Sequence, residues 1–148
     1  MKIGVVIVTY NRLENLKITL ASYQEQTVRP KFILVVNNNS SDGTKEFLEQ
    51  WQKEENEIER KILNLDKNTG GSGGFYEGLK NSLELDCEWV WVADDDAYPK
   101  KDAFEIAKKY VEQNKNTNLS AICGTVLKND GKTVDCSHRR NIYTTSKF

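Results

Sequence analysis

The chain has 148 residues, of which 38% are hydrophobic and 29% are charged, and its formal net charge is −1. These values are typical of one soluble globular domain that is long enough to bury a core. Nucleic-acid-binding domains normally carry a basic face, so we expect no nucleic-acid partner. The three cysteines, Cys87, Cys123 and Cys136, form no C-x-x-C pair. Their spacing argues against a zinc site and favours free thiols in a reducing cytoplasm.

The apolar run near the amino terminus covers only residues 3–8. A membrane span needs about 20 apolar residues, and a signal peptide also needs a longer apolar region than this. We therefore expect no membrane span in this chain and a cytoplasmic location. The full protein could still be peripheral at the inner face of a membrane, attached through segments outside the chain.

Short apolar runs alternate along the chain with stretches of helical periodicity. The runs predict five strands, at residues 3–8, 32–36, 61–65, 89–93 and 120–127. Apolar residues at helical spacing predict the buried faces of four helices: Leu13, Leu16, Leu20 and Tyr23; Thr44, Phe47, Leu48 and Trp51; Phe75, Leu79 and Leu83; Ala103, Ile106, Ala107 and Tyr110. A hairpin turn is predicted at residues 129–132. This alternation predicts an α/β fold, with a mostly parallel sheet between two layers of helices.

Each of the first four predicted strands is followed by polar residues. These lie at positions 9–11, 37–43, 66–71 and 94–96. Turn-forming residues account for any one of these loops. The carboxyl ends of parallel strands, however, lie along one edge of a sheet, where ligands bind in open α/β folds. Four polar loops at one edge therefore predict a site for a polar ligand.

Asp94, Asp95 and Asp96 follow the fourth strand directly. Three adjacent carboxylates repel one another unless a positive charge compensates them. A charge run is often only a solvated surface, but a strand end fixes the position of this one. Mg²⁺ and Mn²⁺ prefer oxygen ligands and typically take one or two carboxylates together with phosphate oxygens and water. The triplet therefore predicts a divalent cation site.

The glycine-rich segment at residues 68–75 precedes the third helix. It fails the dinucleotide-binding pattern G-x-G-x-x-G, because Tyr76 stands at the third glycine position. It also fails the P-loop pattern, because Leu79 stands where lysine is required. Two interpretations of this segment therefore stay equally open: its glycines allow close packing of the helix on the sheet, or they allow direct contact with phosphate.

Together these motifs resemble the inverting family 2 glycosyltransferases, which have the Rossmann-like GT-A fold. The resemblance runs from residue 3 to about residue 127 and rests on four segments in the family's order: Val8-Thr9-Tyr10-Asn11-Arg12, Asn37-Asn38-Asn39-Ser40-Ser41-Asp42-Gly43-Thr44, Asn68-Thr69-Gly70 and the D-x-D signature Asp94-Asp95-Asp96. It implies a nucleotide-sugar-binding core at residues 1–127. Residues 128–148 would be a hairpin and polar tail, the start of a truncated acceptor region.

The resemblance also implies the site residues. Mn²⁺ or Mg²⁺ would be held by Asp94 and Asp96. The nucleotide, linked to the sugar as a UDP or dTDP derivative, would be bound by Thr9, Tyr10, Asn11, Arg12, Asn38, Asn68, Gly70, Asp94 and Asp95. Asn38 stands where the family often has an aspartate that contacts uracil, so this departure bears on the nucleobase preference. Phe75-Tyr76 replaces the family's Arg-Asn, and the segment from Gly70 to Phe75 is similar to the galactofuranosyl- and rhamnosyltransferase-like branch.

The implied reaction transfers the sugar to a glycan or a lipid-linked acceptor in cell-surface polysaccharide synthesis. A carboxylate must act as base on the acceptor hydroxyl. Asp130, Asp135 and His138 lack the family context for catalysis. We expect the base beyond Phe148, and we expect the isolated chain not to transfer sugar. An apolar surface that the acceptor half would cover favours self-association into a homo-oligomer.

Two other classes of protein share an α/β sheet with acidic residues. A metal-dependent nucleotidyltransferase commonly has a glycine-rich loop after its first strand, where this chain has Thr9 to Arg12. A receiver-like signalling domain, which is not an enzyme, has its acidic residues after the first and third strands, whereas the triplet here follows the fourth. Both remain alternatives at the level of sequence.

Overall fold

The computed structural model describes residues 1–128 and 130–135. Residues Met1–Gln113 form one compact unit, and the described residues from Asn114 onward belong to a second. Eight elements make up the first unit: β1 (Ile3–Thr9), α1 (Leu13–Gln24), β2 (Phe32–Asn37), α2 (Thr44–Lys53), β3 (Glu59–Asn64), α3 (Gly70–Ser82), β4 (Trp89–Asp94) and α4 (Ala103–Gln113). This order confirms the predicted alternation of four strands with four helices.

The four strands form one parallel sheet in the order β3-β2-β1-β4. Every residue of the central strands β1 and β2 is buried. Val5 lies between Ile33 on β2 and Trp91 on β4 in the strand register. Both central strands read as continuous apolar runs because side chains on both faces are covered.

The sheet separates two apolar clusters, one on each face. Side chains from α1, α2 and α4, among them Tyr23, Leu48 and Phe104, cover one face together with alternate residues of β1 and β2. Phe75 of α3 packs on the other face, against a cluster that includes Val6 and Phe32. The predicted helix layers on both faces of the sheet are therefore confirmed.

The buried face of α3 consists of its smallest residues. Gly74, Gly78 and Ser82 are buried, whereas Leu79 and Leu83 are 40% and 85% exposed. A Cβ atom at Gly78 would lie 2.5 Å from a methyl group of Val6 on β1. The prediction that Leu79 and Leu83 form the buried face is wrong, because glycine lets the helix axis approach the sheet more closely than leucine would.

The prediction for α4 is also wrong in part. Phe104 is fully buried, while Ile106 and Tyr110 are 58% and 47% exposed. The ring of Phe104 lies 5.1 Å from that of Trp91 and 5.9 Å from that of Tyr23, measured between centroids. Phe104 is thus the buried residue of α4 and lies in the core cluster, and the predicted apolar periodicity of this helix does not include it.

In the second unit, the fifth strand predicted at residues 120–127 does not form, and this prediction is wrong. The described residues there have only an isolated antiparallel bridge between Leu127 and Val134, so the apolar run lacks the continuous ladder of a strand. Two hydrogen bonds join described residues in and beside the predicted turn: Lys128 N donates to Thr133 O at 2.8 Å, and Gly131 N donates to Lys128 O at 2.8 Å.

Some predictions fall outside the described residues. These include Asn129 in the predicted turn, the polar tail at residues 136–148, and Cys136 and His138 within that tail. The predicted division after residue 127 stays a prediction.

The close approach of α3 to the sheet can be tested with two glycine-to-alanine substitutions in the same helix. Gly78→Ala should lower the free energy of unfolding by about 1–3 kcal/mol, because the new methyl group overlaps Val6. Gly71→Ala is the control: a Cβ atom there meets no atom within 4 Å, so a change within about 1 kcal/mol is expected. Urea denaturation followed by circular dichroism measures both. Equal effects would contradict the packing argument.

Candidate active site at the carboxyl edge of the sheet

Four loops leave the carboxyl ends of the strands side by side. The first loop (residues 10–12) follows β1, the second (38–43) follows β2, the third (65–69) follows β3, and the fourth (95–102) follows β4. The strand order places them along the edge as third, second, first and fourth. All the residues predicted to bind nucleotide or metal therefore lie in these loops, in the strand residues that precede them, or at the start of α3.

Hydrogen bonds join the first loop to the second. Asn11 N donates to Ser40 Oγ at 3.0 Å, and Ser41 N donates to Asn11 Oδ1 at 2.7 Å. Asn11 has a φ of 52°, a left-handed conformation that asparagine adopts more readily than most residues. The predicted site residue Asn11 thus holds the two loops together at this point.

Asp42 stabilises the amino ends of two helices. Its carboxylate accepts from Leu13 N at 3.0 Å in α1, and from Thr44 N at 3.2 Å and Thr44 Oγ1 at 2.6 Å in α2. Burial by itself raises the pKa of the Asp42 carboxyl group, but these hydrogen bonds outweigh it and the pKa lies below its usual value. Asp42 is not among the predicted site residues, although an aspartate just before a helical pattern is a recognisable signal for the start of a helix.

Asn38 connects the second loop to the third. Its Nδ2 donates to Asn68 Oδ1 and to Gly70 O, both at 3.0 Å. Its Oδ1 accepts from Thr69 N at 2.9 Å and from Thr69 Oγ1 at 3.2 Å. These four bonds use the full capacity of the amide, and Asn38 is only 2% exposed. Direct contact of this amide with a nucleobase stays a prediction, and it would require the loss of at least one of these bonds.

Asp95 connects the fourth loop to β1. Its Oδ2 accepts from Thr9 Oγ1 at 2.8 Å, and its Oδ1 lies 3.2 Å from Arg12 Nη1. Its backbone oxygen accepts from Thr19 Oγ1 at 2.6 Å. Burial raises the pKa of the Asp95 carboxyl group, although the Thr9 hydroxyl and the Arg12 charge oppose that shift. Asp95 and Thr9 are 3% and 1% exposed, so both side chains are engaged within the protein.

Asp94 and Asp96, on either side of Asp95, are both exposed. Partial desolvation and the neighbouring charge of Asp96 raise the pKa of the Asp94 carboxyl group, and the charge of Arg12 opposes that shift. Asp96 Oδ2 accepts from Arg12 Nη2 at 2.9 Å. Arg12 therefore reaches across from the first loop and compensates part of the charge of the acidic triplet.

The donor set at this edge fits a divalent cation. Two exposed carboxylates, Asp94 and Asp96, offer hard oxygen ligands and leave the other coordination positions to phosphate oxygens and water, as Mg²⁺ sites usually do. In the part of the chain that the structure describes, no group of three or more His, Cys, Asp or Glu side chains is arranged to hold a metal by itself. A cation here would accordingly depend on oxygens from a bound ligand.

The fold and the position of this edge define a Rossmann-like α/β domain of the GT-A type. Residues 4–148 match the family described as Glycosyl transferase family 2. The chain belongs to glycosyl transferase family 2. This assignment favours the glycosyltransferase interpretation over the nucleotidyltransferase and receiver alternatives.

Named relatives and solved structures agree with this assignment. Galactofuranosyltransferase GlfT1 of Mycolicibacterium smegmatis is 32% identical over 94 residues, which cover 64% of this chain and 30% of that protein. The structure of S. aureus TarS 1-349 in complex with UDP superposes with a TM-score of 0.66 at 24% identity, covering 86% of this chain and 40% of that one. The mannosyltransferase PcManGT from Pyrobaculum calidifontis, solved with GDP-Man and Mn²⁺, gives a TM-score of 0.65 at 23% identity, covering 74% and 32%.

The chain spans about a third of the length of the curated relatives it matches. At these identities, the two solved structures show a shared fold. Among the described residues, every helix is too short or too polar to cross a lipid bilayer.

The Asn38 bonds can be tested by substitution. Asn38→Ala should lower the free energy of unfolding by about 1–3 kcal/mol, because it leaves groups of the third loop without their buried partner. It should also speed amide hydrogen exchange at Thr69. Lys67→Ala changes an exposed side chain of the same loop and is the control. Unchanged exchange at Thr69 in the Asn38 variant would contradict this role.

The Asp42 bonds predict a pH dependence. Because the folded pKa is depressed, the stabilisation is present above the unfolded-state pKa of about 3.9 and is lost as the pH falls through the folded value. Asp42→Ala should therefore cost about 1 kcal/mol at pH 7, and less as the pH is lowered below about 4. Urea denaturation at several pH values measures this, with the exposed Asp66→Ala as control. A cost independent of pH would show that the carboxylate charge is unimportant.

Proposed function

We propose that this chain is the donor-binding part of a glycosyltransferase and binds a nucleoside diphosphate sugar at the carboxyl edge of its sheet. The observation that carries the proposal is the alternation within the acidic triplet, where Asp95 is buried while Asp94 and Asp96 are exposed beside Arg12. Buried contacts fix the middle residue, and its two neighbours are thereby held at a constant position on the ligand edge.

Asp94 and Asp96 would hold Mn²⁺ or Mg²⁺. When bound, such a cation neutralises the diphosphate leaving group. The chain's own residues orient the nucleotide: Tyr10, 44% exposed in the first loop, offers a ring to the planar base. Asn11 fixes the first loop against the second. Thr9 and Asp95 supply the rigid support beneath these groups.

The third loop and the start of α3 complete the proposed nucleotide site. Asn68 and Gly70 are placed by their bonds to Asn38, and Gly70 N also donates to Asn68 Oδ1 at 2.8 Å. No atom lies within 4 Å of a Cβ atom built at Gly70 or at Gly71, so a ligand can approach the backbone there. The backbone N–H groups at the amino end of a helix can donate hydrogen bonds to phosphate groups.

The donor class is proposed to be a UDP- or dTDP-linked sugar and the acceptor a glycan or a lipid-linked glycan. The name of the mycobacterial relative, a galactofuranosyltransferase, supports this, as does the UDP in the superposed TarS structure. The Mn²⁺ in the mannosyltransferase structure supports a metal-dependent reaction. We further propose that the reaction inverts the anomeric centre, as the family resemblance implies, and that the whole protein works in the cytoplasm, at the inner face of the membrane.

Calorimetry tests the proposed metal–nucleotide site. Mn²⁺ should raise the affinity of the chain for UDP by roughly tenfold, a common size of coupling between two ligands. Asp96→Ala should abolish that increase, because it removes one of the two proposed cation ligands. Asp86→Ala removes the same charge at the opposite edge of the sheet, where Asp86 pairs with Lys2, and should behave as wild type.

The same titration with dTDP, GDP and ADP ranks the nucleobases. Equal UDP affinity with and without Mn²⁺, or an Asp96→Ala variant that keeps the full increase, would reject the metal–nucleotide site.

A further inference from the structure

Arg12 lies between Asp96, a proposed metal ligand, and Asp95, the buried carboxylate that supports the site. Its Nη2 lies 2.9 Å from Asp96 Oδ2, and its Nη1 lies 3.2 Å from Asp95 Oδ1. The Asp95 side chain is 5% exposed, whereas those of Asp96 and Arg12 are 46% and 47% exposed. The guanidinium is therefore held on one side by a buried carboxylate and is paired on the other with an exposed one.

The backbone beneath Arg12 is fixed. Arg12 precedes α1 directly, its carbonyl oxygen accepts from Leu16 N at 3.0 Å, and the next residue, Leu13, donates its N–H to Asp42. A change of rotamer can therefore carry the guanidinium away from Asp96 while its base stays in place.

Negative charge exceeds positive charge where Arg12 meets the acidic triplet. Three carboxylates and one guanidinium leave the group formed by Arg12 and Asp94 to Asp96 with a net charge of −2. A free divalent cation that approaches Asp96 meets a carboxylate that already has a positive partner. A diphosphate brings further negative charge, and a guanidinium binds phosphate and carboxylate oxygens with the same two-pronged geometry.

We propose that Arg12 is an internal counter-ion that makes cation binding at Asp96 depend on the diphosphate. Without nucleotide, the guanidinium competes with the cation for the carboxylate. With nucleotide, it exchanges Asp96 for a diphosphate oxygen and releases the carboxylate to the cation. Arg12 is thus a positioning residue, and it influences the order in which the cation and the donor bind. This role rests on the proposed function of the site.

Calorimetric titration of the chain with Mn²⁺, alone and with saturating UDP, tests the exchange. Arg12→Gln should bind Mn²⁺ alone roughly three- to fivefold more tightly than wild type, the size expected for a half-exposed ion pair. The gain in Mn²⁺ affinity that UDP produces should shrink by a similar factor. Arg12→Lys keeps the charge but lacks the two-pronged guanidinium that contacts both Asp95 and Asp96, so its Mn²⁺ affinity should lie between those of wild type and Arg12→Gln.

The matched control is Arg29→Gln, which makes the same change in a surface pair with Glu57 before β2, at the opposite edge of the sheet. It should bind Mn²⁺ as wild type does.

A measurement on the wild-type chain makes the test independent of how well the variants fold. The side-chain Nε–H resonance of Arg12 should keep its position when Mg²⁺ is added alone and should shift when UDP and Mg²⁺ are added together. A shift of the same size with Mg²⁺ alone would overturn the proposal, as would unchanged Mn²⁺ affinity in Arg12→Gln.

The metal–nucleotide site and the role of Arg12 can be rejected separately. If wild type shows no coupling between UDP and Mn²⁺, the metal–nucleotide site itself is wrong, and the role of Arg12 fails with it. If wild type shows coupling and Arg12→Gln keeps all of it, only the role of Arg12 is wrong.

Discussion

The buried carboxylate of Asp95 is the contact on which the ligand edge depends. It receives the Thr9 hydroxyl from the end of β1 and the Arg12 guanidinium from the first loop. A carboxylate removed from water must be compensated, because burial of an unpaired charge is costly. Its compensation comes entirely from groups that β1 and its loop supply. The sequence between β4 and α4 is thereby held against β1, and Asp94 and Asp96 project from a fixed point.

The other loops are joined by the same kind of bond. Asn11 holds the first loop to the second, Asp42 caps helices that begin after both, and Asn38 binds the third loop to the second. Polar side chains in these positions satisfy backbone groups that would otherwise have no partner at the ends of strands and helices. Several residues that the family resemblance assigns to the nucleotide therefore also hold the architecture of the site.

This double use has a consequence for how the site binds its ligand. Asn38 and Asp95 have their polar atoms occupied by protein, whereas Tyr10, Asp94 and Asp96 are exposed. A preorganised site of this kind lowers the cost of ordering loops when the ligand arrives. The exposed groups make the ligand contacts in the proposed site, and the buried ones keep those groups at their positions.

The local sequence pattern was sufficient to predict the strands and helices of the first unit. The continuous apolar runs at residues 3–8 and 32–36 predicted central strands, and both are buried on both faces. The helix periodicity at Leu16, Leu20 and Tyr23 also identified a face that is buried. It failed for α3, where the spacing of Leu79 and Leu83 suggested a core that the structure builds from Gly74 and Gly78. Apolar periodicity shows which side chains are hydrophobic. How closely a helix can approach a sheet depends instead on the volume of the side chains between them.

The sequence by itself determined the order of strands and helices along the chain, the parallel direction of the strands and the presence of four polar loops at one edge. Each of these follows from local spacing. Only the tertiary structure decided which polar side chains are exposed at that edge and which are buried. Arg12 and Asp96 are 84 positions apart, and they meet because β1 lies next to β4 in the sheet. No local pattern encodes that neighbour relation, since it depends on packing the whole sheet between two layers of helices.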